Sequence, residues 1–200
     1  MENEKNKKVM AMYQAVWKLL DEGKDLHKLK VSDITECAGI GKGTAYEYFR
    51  SKEEIVSKAM HYNCFMQFHE LEKRVMEKQK FREALETCFD WLSETADSRN
   101  LVIQVLKQTG ELPPDPECLH DNGKPDSAYT VMRKVLDLLV QLGRKEKLIC
   151  SGIPDALAAL QILSQFLGFF VFQKAAFSVG TSEIEMTKKF LCDNIVKSLG

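Results

Sequence analysis

Apolar residues recur along most of this chain at intervals of three and four, the spacing of one face of an α-helix, and strand-like alternation is essentially absent. Val9, Met12, Tyr13, Val16, Trp17 and Leu20 predict a first helix over 6–22, ended by Gly23. Val31, Ile34 and Cys37 share a face of a short second helix, and Ala45 and Phe49 form the inner face of a third over 42–49. Ile55, Ala59, Tyr62, Met66 and Leu71 carry a long helix from 52 to about 77 that no Gly or Pro interrupts. Helical periodicity continues over 81–96, 101–109, 126–148, 154–177 and 181–198. Residues 111–124, ELPPDPECLHDNGK, hold three of the five prolines and read as a loop. The pattern predicts an all-α protein of about nine helices.

The punctuation between 31 and 54 carries the most information. Gly39 stands where a helix stops with positive φ, a conformation that only glycine adopts cheaply. Ile40 is the lone apolar residue of the turn and is suited to plug the gap between two helices. Gly41 is a tolerable N-cap for the next helix. Ser51-Lys52-Glu53-Glu54 is a capping box that starts the long helix, with Glu54 reaching back. Two short helices joined by such a turn have the spacing of a helix-turn-helix, whose second helix enters the DNA major groove. Close approach to DNA needs a small residue, and phosphates need hydroxyl or cationic partners. Gly43 offers the first; Lys42, Thr44, Tyr46, Tyr48 and Lys52 offer the second. Glu47 in the same stretch either accepts from a cytosine amino group or faces solvent.

At these residues a resemblance becomes specific. The run AGIGKGTAYEYFRSKEEI resembles the signature of the tetracycline-repressor (TetR) family of bacterial transcriptional regulators, close to A-G-[VI]-[SG]-K-G-[TS]-x-Y-x-[YH]-F-x-[ST]-K-E-x-[LI]. Almost every fixed position is present, in order and without gaps. The likeness covers roughly residues 9–60; the rest matches in length and helical character alone. It implies a three-helix DNA-binding domain over 1–62, with the helix-turn-helix at about 30–49, and a C-terminal effector-binding and dimerisation domain over 63–200. It also implies DNA-binding roles for Lys42, Gly43, Thr44, Tyr46, Tyr48 and Lys52. Lys30 departs from the family, which usually has a phosphate-touching Thr there; Ser32 is positioned to supply that hydroxyl. The implied function is a repressor that binds double-stranded operator DNA as a homodimer and is released by a small apolar or amphipathic effector, although activators share the architecture.

Charge changes this picture little. Formal net charge is −1. Residues 1–62 hold 11 Lys+Arg against 10 Asp+Glu, or +1, leaving −2 for the remainder. That argues against broad non-specific nucleic-acid binding. Lys5, Lys7 and Lys8 stand at the start of the first helix, and Lys42, Arg50 and Lys52 cluster around the second short one. The N-terminus lacks a signal-peptide apolar region. The most apolar stretch, 156–172, is broken by Gln161, Ser164 and Gln165 and is short of the roughly 20 residues a bilayer needs. It is expected to be a buried helix, with no membrane partner. Six scattered cysteines without a CxxC pair fit reduced thiols in the cytoplasm.

Aromatic and methionine side chains are dense in the C-terminal part. Phe65, Met66, Phe68, Phe89, Trp91, Met132, Phe166, Phe169, Phe170 and Phe172, with His69, Gln104, Gln108, Tyr129 and Gln165 as polar anchors, are candidates for an effector pocket; for any one of them ordinary core or subunit interface is the commoner role. Helix 154–177 is apolar on more than one side and must be covered on most of them. Leu163, Phe166, Phe170, Phe190, Leu191 and Ile195 are therefore the expected dimer interface. Cys118 and His120 share the proline-rich loop, but no fourth ligand accompanies them, so no metal site and no cofactor are expected. No nucleophile–base–acid set or phosphate-cradling loop is present, and no catalytic residues are expected. Two rivals stay open: a helical ligand-binding module with a decayed DNA head, and an enzyme on a helical bundle.

Overall fold

In the computed structural model, which describes residues 2–97, 128–175 and 180–200, every regular element among those residues is an α-helix. The predicted 101–109 helix and the 111–124 loop lie outside the described residues. Helices α1 (Glu2–Asp21), α2 (Val31–Cys37), α3 (Lys42–Tyr48) and the first half of α4 (Lys52–Met76) close around one core. Met12, Val16, Ile34, Ala45 and Ile55 are fully buried there. A second core joins the end of α4 to α5 (Phe81–Asp97), α6 (Ala128–Lys145), α7 (Asp155–Ala175) and α8 (Thr181–Leu199). Phe81, Phe89, Leu139, Ile162, Phe169 and Ile195 fill it. Each such side chain removed from water is worth about 1.5–3 kcal/mol, set against the entropy of ordering the chain.

Helix α4 belongs to both cores. Ile55, Val56, Ala59 and Met60 are buried in the first, and Leu71 and Val75, four to five turns later, in the second. Its start is fixed by Ser51, whose Oγ accepts the Glu54 N–H at 3.2 Å. Glu54 does reach back, but its carboxylate accepts from the Arg50 N–H at 2.6 Å, one residue earlier than in a capping box. Trp17 of α1 donates its indole N–H to the Ala59 carbonyl at 3.3 Å, tying α1 to α4 across the head.

Helix ends depart from the periodicity where side chains decide. Helix α6 stops at Lys145, short of the predicted 148. Lys147 turns to φ 59°, and the amides of Leu148 and Ile149 fold back on the Gly143 carbonyl at 2.9 and 3.3 Å. Arg144 holds that turn, donating to the carbonyls of Ile149, Cys150 and Ile153 and to Asp155 Oδ1. Pro154 lies just before α7 rather than in its first turn, its carbonyl accepting from Leu157 and Ala158 at 3.0 Å. Helix α8 is capped at Gly180, where Glu183, three residues on, accepts the Gly180 N–H at 3.1 Å.

One expectation is corrected. Helix α7 is not buried all round. Ala158, Ile162 and Phe169 are in the core, whereas Leu157, Leu160, Leu167 and Val171 are 52–60% exposed. The described elements packed on α7 are α5, α6 and α8, and together they cover its inner side. Met186 and Phe190 of α8 are bare as well, at 62% and 67% exposed. Residues 155–173 of α7 are long and apolar enough to cross a membrane, with mean hydropathy 1.6, yet their inner face is part of the packed core.

Candidate nucleic-acid interface and effector cavity

Helices α2 and α3 are held as a unit by their buried faces. Val31 and Ile34 of α2, Ala45 of α3 and Phe49 at its C-cap enter the first core, and Ile40 of the turn packs against it. Gly39 takes φ 65°, which spares the turn the strain an L side chain would carry. The Ile40 amide returns to the Thr35 carbonyl at 2.9 Å, and Thr35 Oγ1 donates to the Ser32 carbonyl at 3.1 Å. Lys30, where a hydroxyl cap was missing, is served instead by Asp33, which accepts its N–H at 2.9 Å. With these residues turned inward, α3 presents Lys42, Gly43, Tyr46 and Glu47 outward, all exposed, with Thr44 and Tyr48 half-buried at its flanks. Ser32 is exposed on α2. A Cβ at Gly43 would meet nothing within 4 Å.

Lys52 is half-buried beside this surface, its ammonium donating to the His27 carbonyl at 3.2 Å and standing 3.7 Å from Glu53. The Glu53 carboxyl is held below the ordinary range by its own backbone N–H and by the Ser51 hydroxyl at the helix start. The Glu54 carboxyl is lowered by Lys58, 2.7 Å away, and by the Arg50 N–H. Burial, and then Glu54, push the Tyr13 phenol up. Both acids stay ionised at neutral pH and favour the positive end of α4.

The body contains a cavity of about 120 Å³ between four helices. Phe68 and Leu71 of α4 form one wall, Cys88 and Trp91 of α5 a second, Met132 and Leu136 of α6 a third, and Leu163, Phe166 and Phe170 of α7 the fourth. No charged side chain lines it among the described residues. Among those residues no group of three His, Cys, Asp or Glu side chains is placed to hold a metal. Cys118 and His120 lie outside the described residues.

Residues 20–59 match the family model described as bacterial regulatory proteins, tetR family. That stretch is the DNA-binding domain of this family. Solved structures share its fold. FadR of Bacillus subtilis, in complex with stearoyl-CoA, superposes with TM-score 0.61 at 19% identity, covering 96% of this chain and 99% of that one. A TetR transcription regulator from Haloarcula marismortui reaches TM-score 0.68 at 15% identity, covering 97% and 98%. RolR, in complex with resorcinol, reaches 0.62 at 13% identity, covering 100% and 91%. At such identities the likeness is one of fold. No curated protein sequence matches the chain.

Within this fold the sequence candidates scatter differently from expectation. Of the pocket candidates, Phe68, Trp91, Met132, Phe166 and Phe170 line the cavity. Phe89 and Phe169 do not: their rings pack edge to face, 5.1 Å apart, as core. Phe65 and His69 stack on each other at 5.8 Å on another face of α4, with His69 Nδ1 3.0 Å from Glu72. Gln165 accepts from Asn194 of α8 at 3.5 Å, outside the cavity wall. Gln104, Gln108 and the side chain of Tyr129 lie outside the described residues. Of the interface candidates, Phe190 is exposed, and Leu163 and Leu191 are half-buried. Ile195 is fully buried in the second core of the single chain. Phe166 and Phe170 face the cavity instead. Periodicity missed Leu71, Cys88 and Leu136 as cavity residues, since spacing alone does not distinguish a wall from a filled core.

Proposed function

We propose that this protein is a ligand-responsive repressor acting in the cytoplasm. Residues 1–62 form its DNA-binding head and residues 63–200 a body that dimerises and takes the effector. A homodimer occupies a palindromic operator until a small molecule enters the body. The observation that carries this reading is the double membership of α4, whose early turns are buried in the head while Phe68 and Leu71 form a wall of the cavity. A ligand that moves that wall moves the head. It thereby favours a spacing of recognition helices unlike the roughly 34–36 Å between half-sites one DNA turn apart. Only its difference in affinity between the two states drives release.

Gly43 supports the docking surface. A glycine inside a helix costs about 0.5–1 kcal/mol relative to alanine. Among the described residues nothing comes within 4 Å of where its Cβ would stand, which supports a close approach from outside as its use. Leu157, Leu160, Leu167 and Val171 of α7, with Met186 and Phe190 of α8, form the bare apolar face that a second copy covers. The stearoyl-CoA and resorcinol complexes of FadR and RolR support a small-molecule effector for this fold. The test is fluorescence anisotropy with duplex DNA from upstream of the protein's own coding region. Lys42→Ala is expected to weaken binding and to reduce the salt slope by about one unit, as for one lost phosphate contact. Absence of any sequence-specific binding by the wild type sinks the reading.

A further inference from the structure

Glu47 stands on the outermost line of α3. Successive residues of a helix are about 100° apart around its axis, 3.6 to a turn. Ala45, fully buried, marks the inward direction. Gly43 and Glu47, two residues before and after it, each lie about 160° from that direction and about 40° from one another. They form one exposed ridge, with Glu47 a turn beyond Gly43, while Thr44 and Tyr46 occupy the two flanks. A helix is about 10–12 Å across with its side chains and fills a major groove about 12 Å wide. Its flanks then face the phosphate walls, and its outer ridge faces the base edges. Gly43 has no side chain, so the close approach it permits brings Glu47 within reach of the bases. Among the described residues no hydrogen bond or ion pair engages the Glu47 carboxylate, whereas Glu53 stands 3.7 Å from Lys52 and Glu54 2.7 Å from Lys58.

A free carboxylate between two rows of phosphates is repelled and loses its hydration, and only a donor on a base offsets that. In the major groove guanine and thymine present acceptors, adenine an acceptor beside its donor, and cytosine a donor alone. We propose that Glu47 is a specificity-determining residue of this interface, its carboxylate accepting from the N4 amino group of one cytosine in each operator half-site. This rests on the reading of α3 as the recognition helix. Phosphate contacts set the affinity and register of the complex and carry no sequence information. Glu47 adds little affinity and acts by rejecting the other three bases at its position.

The test is selection of binding sites from a randomised duplex library by the full-length protein and by its Glu47→Gln and Glu47→Ala variants. Affinities for the selected duplexes are then measured by fluorescence anisotropy at one salt concentration. Glu47 is exposed, and Gln and Ala are both good helix formers, so both variants are expected to keep the fold. The parent is expected to select cytosine at one symmetry-related position per half-site, and to lose about fivefold or more when any other pair replaces that C·G pair. Glu47→Ala should lose the preference at that position alone. Glu47→Gln should transfer it to adenine, whose N6 and N7 a glutamine amide matches. A parent motif that both variants select unchanged overturns the role of Glu47 while leaving the DNA-binding reading in place. So does a uniform gain in affinity of Glu47→Ala for every duplex, the mark of a charge that only repels. Loss of preference at a position where the parent selects a base other than cytosine overturns the cytosine assignment. A parent that selects no motif removes the operator reading itself, and this proposal with it.

Discussion

Replacing Gly143 by alanine sets two effects of known sign against each other. A Cβ there would stand 2.5 Å from Ile149 Cδ1, 2.7 Å from Ile149 Cγ1 and 3.4 Å from Phe81 Cε1. Ile149 is 3% exposed, so it can retreat only into packed neighbours. Overpacking of this kind costs about 1–3 kcal/mol. Alanine in a helix returns at most about 1 kcal/mol over glycine, and less in the last turn of α6. The variant is therefore expected to lose about 1–2 kcal/mol of stability. Ile149→Ala removes both offending carbons, leaving the Phe81 contact. On that background the same Gly143→Ala change should stabilise by about 0.5–1 kcal/mol. The coupling between the two sites then amounts to about 2 kcal/mol. Urea denaturation of the four proteins at one concentration measures it, as shifts in Cm at constant m. An equal cost of Gly143→Ala in both backgrounds, or a more stable single variant, refutes the steric argument.

Leu160→Glu and Phe190→Glu each place a charge on the bare face of α7 and α8 and should yield folded monomers with no operator binding; sedimentation showing a normal dimer would remove that face as the interface. Arg144→Leu unties the turn between α6 and α7 and should cost about 1.5–3 kcal/mol in a chemical melt, since its partners include Asp155 and three backbone carbonyls. Burial pushes the Cys64 thiol up to about 11 and the Cys192 thiol up to about 12, so iodoacetamide at mildly alkaline pH should modify exposed Cys150 well before either, as peptide mass mapping would read. Lys58 and the Arg50 N–H lower the folded pKa of Glu54 below its unfolded value, so its contribution is present above the ordinary carboxylate range and lost as pH falls through it; Glu54→Gln should flatten the acid limb of a melting profile.

The helix-turn-helix was legible because its signals are local. Gly39 at positive φ, Ser51 at an N-cap and the inward pair Ala45 and Phe49 each act within a few residues, and the structure uses all of them. The cavity was not. Phe65 and Phe68 differ in fate because α5 and α6 approach one side of α4, and no periodicity within α4 records which side that is. The same holds for α7: its all-round apolarity was readable, but not that Phe166 and Phe170 turn to the cavity while Leu157 and Leu160 turn out. The start of α8 at Thr181 was legible too, because Glu183 stands where it accepts the N–H of the N-cap Gly180.

The sharing of α4 also bears on how the chain melts. A 25-residue helix is marginal in water without tertiary cover. Unfolding the body would strip Leu71 and Val75, and unfolding the head would strip Ile55, Val56, Ala59 and Met60, so neither core can dissolve without fraying the element on which the other is built. The small head, with three helices of its own, is expected to have no melting transition separate from that of the body. Any molecule that binds the body raises the stability of both parts by RT ln(1 + [L]/Kd). Protection of α3 amides from hydrogen exchange should therefore rise with ligand bound far from them, even in the absence of DNA.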